Sequence, residues 1–174
     1  MNKHIKRAVM ALVIMAAGYN VARADPVSIA IAGRVVASPC VIDGNGSELA
    51  VNLGNSIQSA TLATAGAGST PTTFNLSLTG CPAGTKNVKV TFTGTAAAAP
   101  QANMYLNTGT ATPLAIELSQ QGTGTILGNG SSLTQAVQAD KTVTYALSAR
   151  AVTATGNVLP GIVMAVILAD FTYN

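Results

Sequence analysis

The sequence predicts an all-β domain, on three observations. After residue 24, runs of Val, Ile, Thr, Phe and Leu recur with a period of two, the spacing of side chains along a half-buried strand. Clusters of Gly, Asn, Pro and Ser separate these runs and mark turns. No helical period longer than a turn or two interrupts the pattern.

The elements follow in order. Lys3, Lys6 and Arg7 precede an apolar run from Ala8 to Ala17, and Ala22-Arg23-Ala24 supplies small residues at a cleavage position, the pattern of a secretory signal peptide. That apolar run is about half of the roughly 20 residues a membrane span needs. Residues 1–24 are therefore expected to be removed, with the mature chain beginning at Asp25 and carrying no membrane span. The remaining 150 residues suit one domain with its own core.

Val and Ile dominate a predicted strand over Val27–Val36, and Leu and Val one over Leu49–Leu53. Thr, Phe and Leu fill Thr72–Gly80, and Val, Thr and Phe fill Asn87–Thr93. Further strands are predicted over Leu114–Gln120, Thr142–Val152 and Val158–Tyr173. The connectors Ala60–Thr70, Thr93–Ala102 and Gly122–Ser132 are rich in Ala, Gly, Thr and Ser and nearly free of charge, so they read as loops without a second domain. Strands at this spacing point to an immunoglobulin-like sandwich, although the Trp of antibody-domain cores is missing.

Charge and cysteines narrow the compartment and the partners. The predicted signal takes four basic residues with it, leaving five basic and six acidic ones and a formal charge of −1. The basic character of the whole chain belongs to the precursor, so no nucleic-acid or anionic-membrane partner is indicated. Cys40 and Cys81 are the only cysteines, and in an oxidising compartment an isolated pair is expected to form a disulfide. On the chain-entropy account such a bridge stabilises the fold by about 4 kcal/mol.

The two ends carry the most informative pattern. In an extended N-terminal segment, Val27, Ile29, Ile31, Gly33 and Val35 share one face, opposite small or polar residues. This is either the first strand of the sandwich or a strand meant for another molecule. At the C-terminus Val163, Ala165, Ile167, Ala169, Phe171 and Tyr173 alternate with Ile162, Met164, Val166, Leu168, Asp170 and Thr172, so both faces are apolar until the last few residues. Such a strand needs cover on both sides, and an open edge on it is an aggregation hazard.

Several short motifs, in this order, resemble one family across essentially the whole mature chain: the pilins assembled by periplasmic chaperones and outer-membrane ushers. Gly-Arg-Val-Val-Ala-Ser-Pro-Cys (Gly33–Cys40) looks like the family's start, and Leu-Thr-Gly-Cys-Pro (Leu78–Pro82) like its second cysteine motif. Tyr145–Val152 with the Thr155-Gly156 turn looks like its penultimate strand and hairpin. Gly161 and Tyr173 fall where the family has a glycine fourteenth from the end and a penultimate tyrosine. Within the family the opening residues look most similar to minor, adaptor-type subunits of type 1 fimbrial tips.

The resemblance implies a sandwich lacking its last strand, with a groove beside Gly161, Val163, Ile167, Phe171, Tyr173 and Asn174. It implies that a periplasmic chaperone fills the groove and grips the terminal carboxylate of Asn174. The N-terminal extension of a neighbouring pilin subunit later replaces the chaperone, an instance of strand addition. On that reading residues 25–36 are a donor-strand extension, residues 37–174 the pilin domain, and the product a fimbrium on the cell surface reached through the periplasm. Gly33 then suits a shallow point of a neighbour's groove, or else marks a bulge.

The residues offer little for catalysis. His4 is the only histidine and leaves with the signal, and a disulfide leaves no thiol nucleophile. Asp43, Glu48, Glu117, Asp140 and Asp170 are scattered and read as solvated surface groups. No metal-ligand spacing or phosphate-binding loop is present, no cofactor is indicated, and the Gly-Asn-Gly runs at Gly44–Gly46 and Gly128–Gly130 read as turns. The competing function is a receptor- or glycan-binding tip adhesin. It is disfavoured because only about a dozen residues precede the sandwich and the aromatic surface available for sugar stacking is small.

Overall fold

The computed structural model describes residues 27–36, 38–43 and 48–174. The predicted signal peptide, the start at Asp25 and the turn at Gly44–Gly46 lie outside them. The chain divides into two units, Met1–Val35 and Val36–Asn174. In the first, residues 27–35 carry no strand ladder and their side chains are exposed.

The second unit is built from β1 (Val41–Ile42), β2 (Thr72–Thr79), β3 (Asn87–Gly94), β4 (Tyr105–Leu106), β5 (Ala115–Gln120), β6 (Ser132–Ala136), β7 (Val143–Val152) and β8 (Ile167–Tyr173), with one 3₁₀ turn at Ser59–Leu62. One sheet has the order β1-β2-β7-β5-β4 and the other β6-β3-β8. Every pairing is antiparallel. Alternation along each strand sends one set of side chains inward. Leu76 and Leu78 of β2, Tyr145 and Leu147 of β7, and Ile116 and Leu118 of β5 meet Val88, Val90 and Phe92 of β3 in one core. This is an open, immunoglobulin-like sandwich. Cys40, just before β1, is bonded to Cys81, just after β2, with Cα atoms 4.3 Å apart. Tyr145 anchors the centre, its hydroxyl donating to the Val88 carbonyl at 2.7 Å.

Five expectations need correction. Val27–Val36 and Leu49–Leu53 form no ladder, because a strand needs a neighbouring backbone and the described residues offer these two none. The predicted strand Val158–Tyr173 pairs with β3 only from Ile167 onward, while residues 158–166 run extended beside residues 107–112. The short strands β1, β4 and β6 were not anticipated, since two to five residues carry too little periodicity. The 3₁₀ turn overlaps the start of the expected Ala60–Thr70 loop and buries Leu62. Glu117 is not a solvated surface group: it is buried on β5 opposite Arg150 of β7, which grips it through Nε–Oε1 at 2.8 Å and Nη2–Oε2 at 3.0 Å. Asp43, Glu48, Asp140 and Asp170 are exposed as expected.

Candidate strand-acceptor groove

A groove of about 1930 Å³ opens between the two sheets along the C-terminal segment. Its floor comes from the inner face of the larger sheet, with Phe74 and Leu76 from β2, Ile116 and Leu118 from β5, and Leu147 and Ala149 from β7, joined by Phe92 of β3. One wall is the run from Val158 to Phe171 and the other is residues 48–58. Among the described residues neither wall has a backbone partner on the groove side. β8 is, among the described residues, an edge strand bonded only to β3, and residues 48–57 belong to no strand. A sandwich normally fills such a gap with one more strand.

The wall's side chains follow the two-residue period. Val163, Ala165, Ile167, Ala169, Phe171 and Tyr173 are half-buried against the core, and Phe171 lies tilted on Tyr145 with ring centroids 6.4 Å apart. The alternate residues Ile162, Met164, Val166 and Leu168 are exposed, so the cover expected on both faces is present on neither in full.

The backbone follows the same period. Ala111 N–H donates to the Ile162 carbonyl at 3.0 Å and Thr108 N–H to the Met164 carbonyl at 2.8 Å. In return, Ile162 N–H reaches Thr110 Oγ1 at 2.9 Å and Met164 N–H reaches Asn107 Oδ1 at 2.8 Å. The even-numbered residues thus face residues 107–111, and alternation turns the amides of Val163 and Ala165 toward the opposite edge. A strand laid there would find donors and acceptors in register.

Gly161 has a steric reason. A Cβ on it would collide with the backbone of Thr110 and Ala111, as one on Gly109 would with the backbone of Ile162. Two chains approach backbone to backbone here, which only glycine permits. Leu62, Ala111 and Val158 form a small second core at this end.

At the other end, the main-chain oxygen of Asn174 accepts from Lys86 N–H at 2.6 Å and Asn87 N–H at 3.0 Å, while Asn174 N–H donates to the Asn87 carbonyl at 3.0 Å. The chain terminus is therefore pinned to the β2–β3 connection. Burial raises the Tyr173 phenol, and the Cys40 backbone acts in the opposite direction. Burial also pushes the phenols of Tyr105 and Tyr145 up to about 12, with Tyr173 adding to the shift at Tyr145.

The structure thus brings Gly161, Val163, Ile167 and Phe171 onto one wall of the groove, whereas Tyr173, which ends β8, and Asn174 lie beyond its lining. Val27, Ile29, Ile31, Gly33 and Val35 are exposed. Sequence reasoning did not single out the second wall. The signal was available in the alternation of Leu49, Val51 and Leu53, all of which line the groove. The floor residues and the Asn107–Gly109 turn carried no local mark of their role.

An open sandwich with an unfilled strand position defines a strand-accepting subunit of the pilin type. The chain belongs to the fimbrial protein family, whose pattern it matches over residues 29–174. Protein FimG of Escherichia coli (strain K12) is 34% identical over 173 residues, covering 99% of both chains. The S-fimbrial adhesin protein SfaS of Escherichia coli O6:K15:H31 (strain 536) is 37% identical over 153 residues, covering 87% of this chain and 88% of its own. Among solved structures, the P pilus rod subunit PapA superposes with a TM-score of 0.62 at 20% identity, over 79% of this chain and all of PapA. At that identity the likeness speaks for the fold.

Proposed function

We propose that this chain is a structural subunit of a chaperone–usher fimbria, exported to the cell surface and polymerised through its groove. The observation that carries the reading is the open strand position: an apolar floor flanked by two walls that, among the described residues, have no backbone partner on the groove side. Residues 25–36 are the complementary part, an extension with Val27, Ile29, Ile31 and Val35 on one face. Its addition as a strand supplies main-chain hydrogen bonds for affinity and alternate side chains for specificity. Before assembly a periplasmic chaperone fills the same groove, and the outer-membrane usher is where one strand replaces the other. A one-to-one complex with the cognate chaperone is expected on periplasmic co-expression. Deleting Tyr173 and Asn174 removes the last residue of β8 and the pinned residue after it, and should make the subunit scarce and protease-sensitive. Normal accumulation of the truncated chain in chaperone complex would overturn the assignment of this end.

The name of SfaS favours a second reading, in which the subunit itself contacts a receptor. Glycan or host-cell binding by purified subunit, free of other fimbrial proteins, distinguishes the two.

A further inference from the structure

Two apolar patches remain exposed on the pilin unit. Along the rim of the groove, on the face of the C-terminal segment turned away from the core, Leu159, Ile162, Met164, Val166 and Leu168 are 64, 60, 55, 70 and 61% exposed. Farther along, that face becomes polar, with Asp170 accepting from Thr93 Oγ1 at 3.3 Å and Thr172 opposite Lys89. The second patch lies where the chain enters the sandwich. Val36, Val41 and Ile42 are 69, 58 and 37% exposed, and β1 is an edge strand of its sheet. Contiguous exposed apolar surface of this kind marks interaction sites.

The two patches are related by chain length, on the strand-donor reading given above. Every strand pair in this fold is antiparallel, so an added strand is taken to run antiparallel to β8. The C-terminal end of the extension, Val35–Val36, then lies at the Gly161 end of the acceptor's groove. Val41 stands five positions after Val36, a stretch that fully extended reaches no more than about 18 Å. The donor's Val41–Ile42 corner is therefore tethered within that distance of the acceptor's Leu159–Met164 strip, at an effective concentration of roughly millimolar.

We propose that these patches meet: the Val41–Ile42 corner of one copy docks on Leu159, Ile162 and Met164 of the copy whose groove its extension fills. The contact joins two different patches of one chain, so it is head-to-tail and builds a filament wherever the rotation between copies does not close a ring. Successive copies would be held at a fixed angle by a body-to-body contact as well as by the strand.

The test places a polarity-sensitive fluorophore on Met164→Cys and, as a control at the far end of the same face, on Thr172→Cys. Chaperone-held copies are mixed with unlabelled full chain, and urea-resistant dimers are isolated. Dimer formation should blue-shift the label at 164 and cut its quenching by iodide several-fold, leaving the label at 172 unchanged. A synthetic peptide of residues 25–36, which has no body, should produce little of this shift. Val41→Asp in the donor should abolish the shift while dimers still form. An unchanged label at 164, the same shift from peptide alone, or indifference to Val41→Asp would overturn the contact. If the peptide enters the groove but full-length copies never dimerise, a second copy is not the partner and the proposal fails while the groove reading stands. If neither enters, the strand-donor reading fails and the contact with it. Yield of each variant in chaperone complex checks that it has folded.

Discussion

Ile31→Asp in the extension tests the donor role most directly. Val27, Ile29, Ile31 and Val35 are 86, 81, 92 and 99% exposed, so nearly the whole of each side chain is available for burial in a neighbour. At about 1.5–3 kcal/mol each, filling an apolar groove with the four contributes on the order of 6–12 kcal/mol before ordering costs. Replacing Ile31 by Asp forfeits one such share and places a polar group among floor residues such as Phe74 and Leu147, which offer it no hydrogen bond. An unsatisfied buried polar group costs a further 1–3 kcal/mol or so, giving about 3–6 kcal/mol in all. That corresponds to roughly 10²- to 10⁴-fold weaker strand binding. Ala30→Asp changes the opposite face and should cost less than about tenfold, because its carboxylate stays in water. The assay is strand exchange from chaperone–subunit complexes into a purified complementary groove, read as urea-resistant dimers on a gel. Equal assembly by wild type and Ile31→Asp would refute the reasoning. So would a loss of equal size for Ala30→Asp, since that would show no facial preference.

The remaining predictions concern stability. Removing either partner of the Glu117–Arg150 pair should be unequal in effect, because Arg150 retains 38% of its side-chain exposure and Glu117 only 9%. In urea unfolding of the isolated subunit, Arg150→Met should destabilise by about 3 kcal/mol, near the low end for stranding a buried charge. Glu117→Gln, which keeps a hydrogen-bonding group, should cost about 1 kcal/mol. Equal losses would show that the pair is solvated. A separate expectation is alkaline unfolding. Tyr105 and Tyr145 hold their protons to about 12 in the folded state and to 10.0 as the ordinary value, so the folded chain binds them more tightly. That stabilisation is fully present below pH 10 and is lost as pH rises from about 10 to about 12. Tyr145→Phe should cost about 1 kcal/mol at neutral pH, through its bond to Val88, and flatten the alkaline decline. A decline of unchanged steepness in Tyr145→Phe would assign the transition to other groups.

Much of this protein was legible in its sequence because the relevant physics is local. Period-two alternation marked the inward face of β2, β3, β5 and β7, and an isolated pair of cysteines left one intramolecular bridge to form. The same alternation marked the apolar face of residues 27–35 and the unusual apolarity of residues 162–169, and motif spacing identified Gly161. Only the tertiary structure decided the rest, because it depends on which chains become neighbours. Leu49–Leu53 has a strand's pattern and forms no ladder, since no described backbone fills the gap between it and β8. Gly161 is obligatory because Thr110 and Ala111, about fifty residues earlier in the sequence, pass against it. Glu117 reads as an ordinary surface carboxylate until the antiparallel register of β5 and β7 sets it opposite Arg150 and buries it. Periodicity tells a residue which way to face, whereas the partner it then meets, or lacks, is fixed by strand order and register.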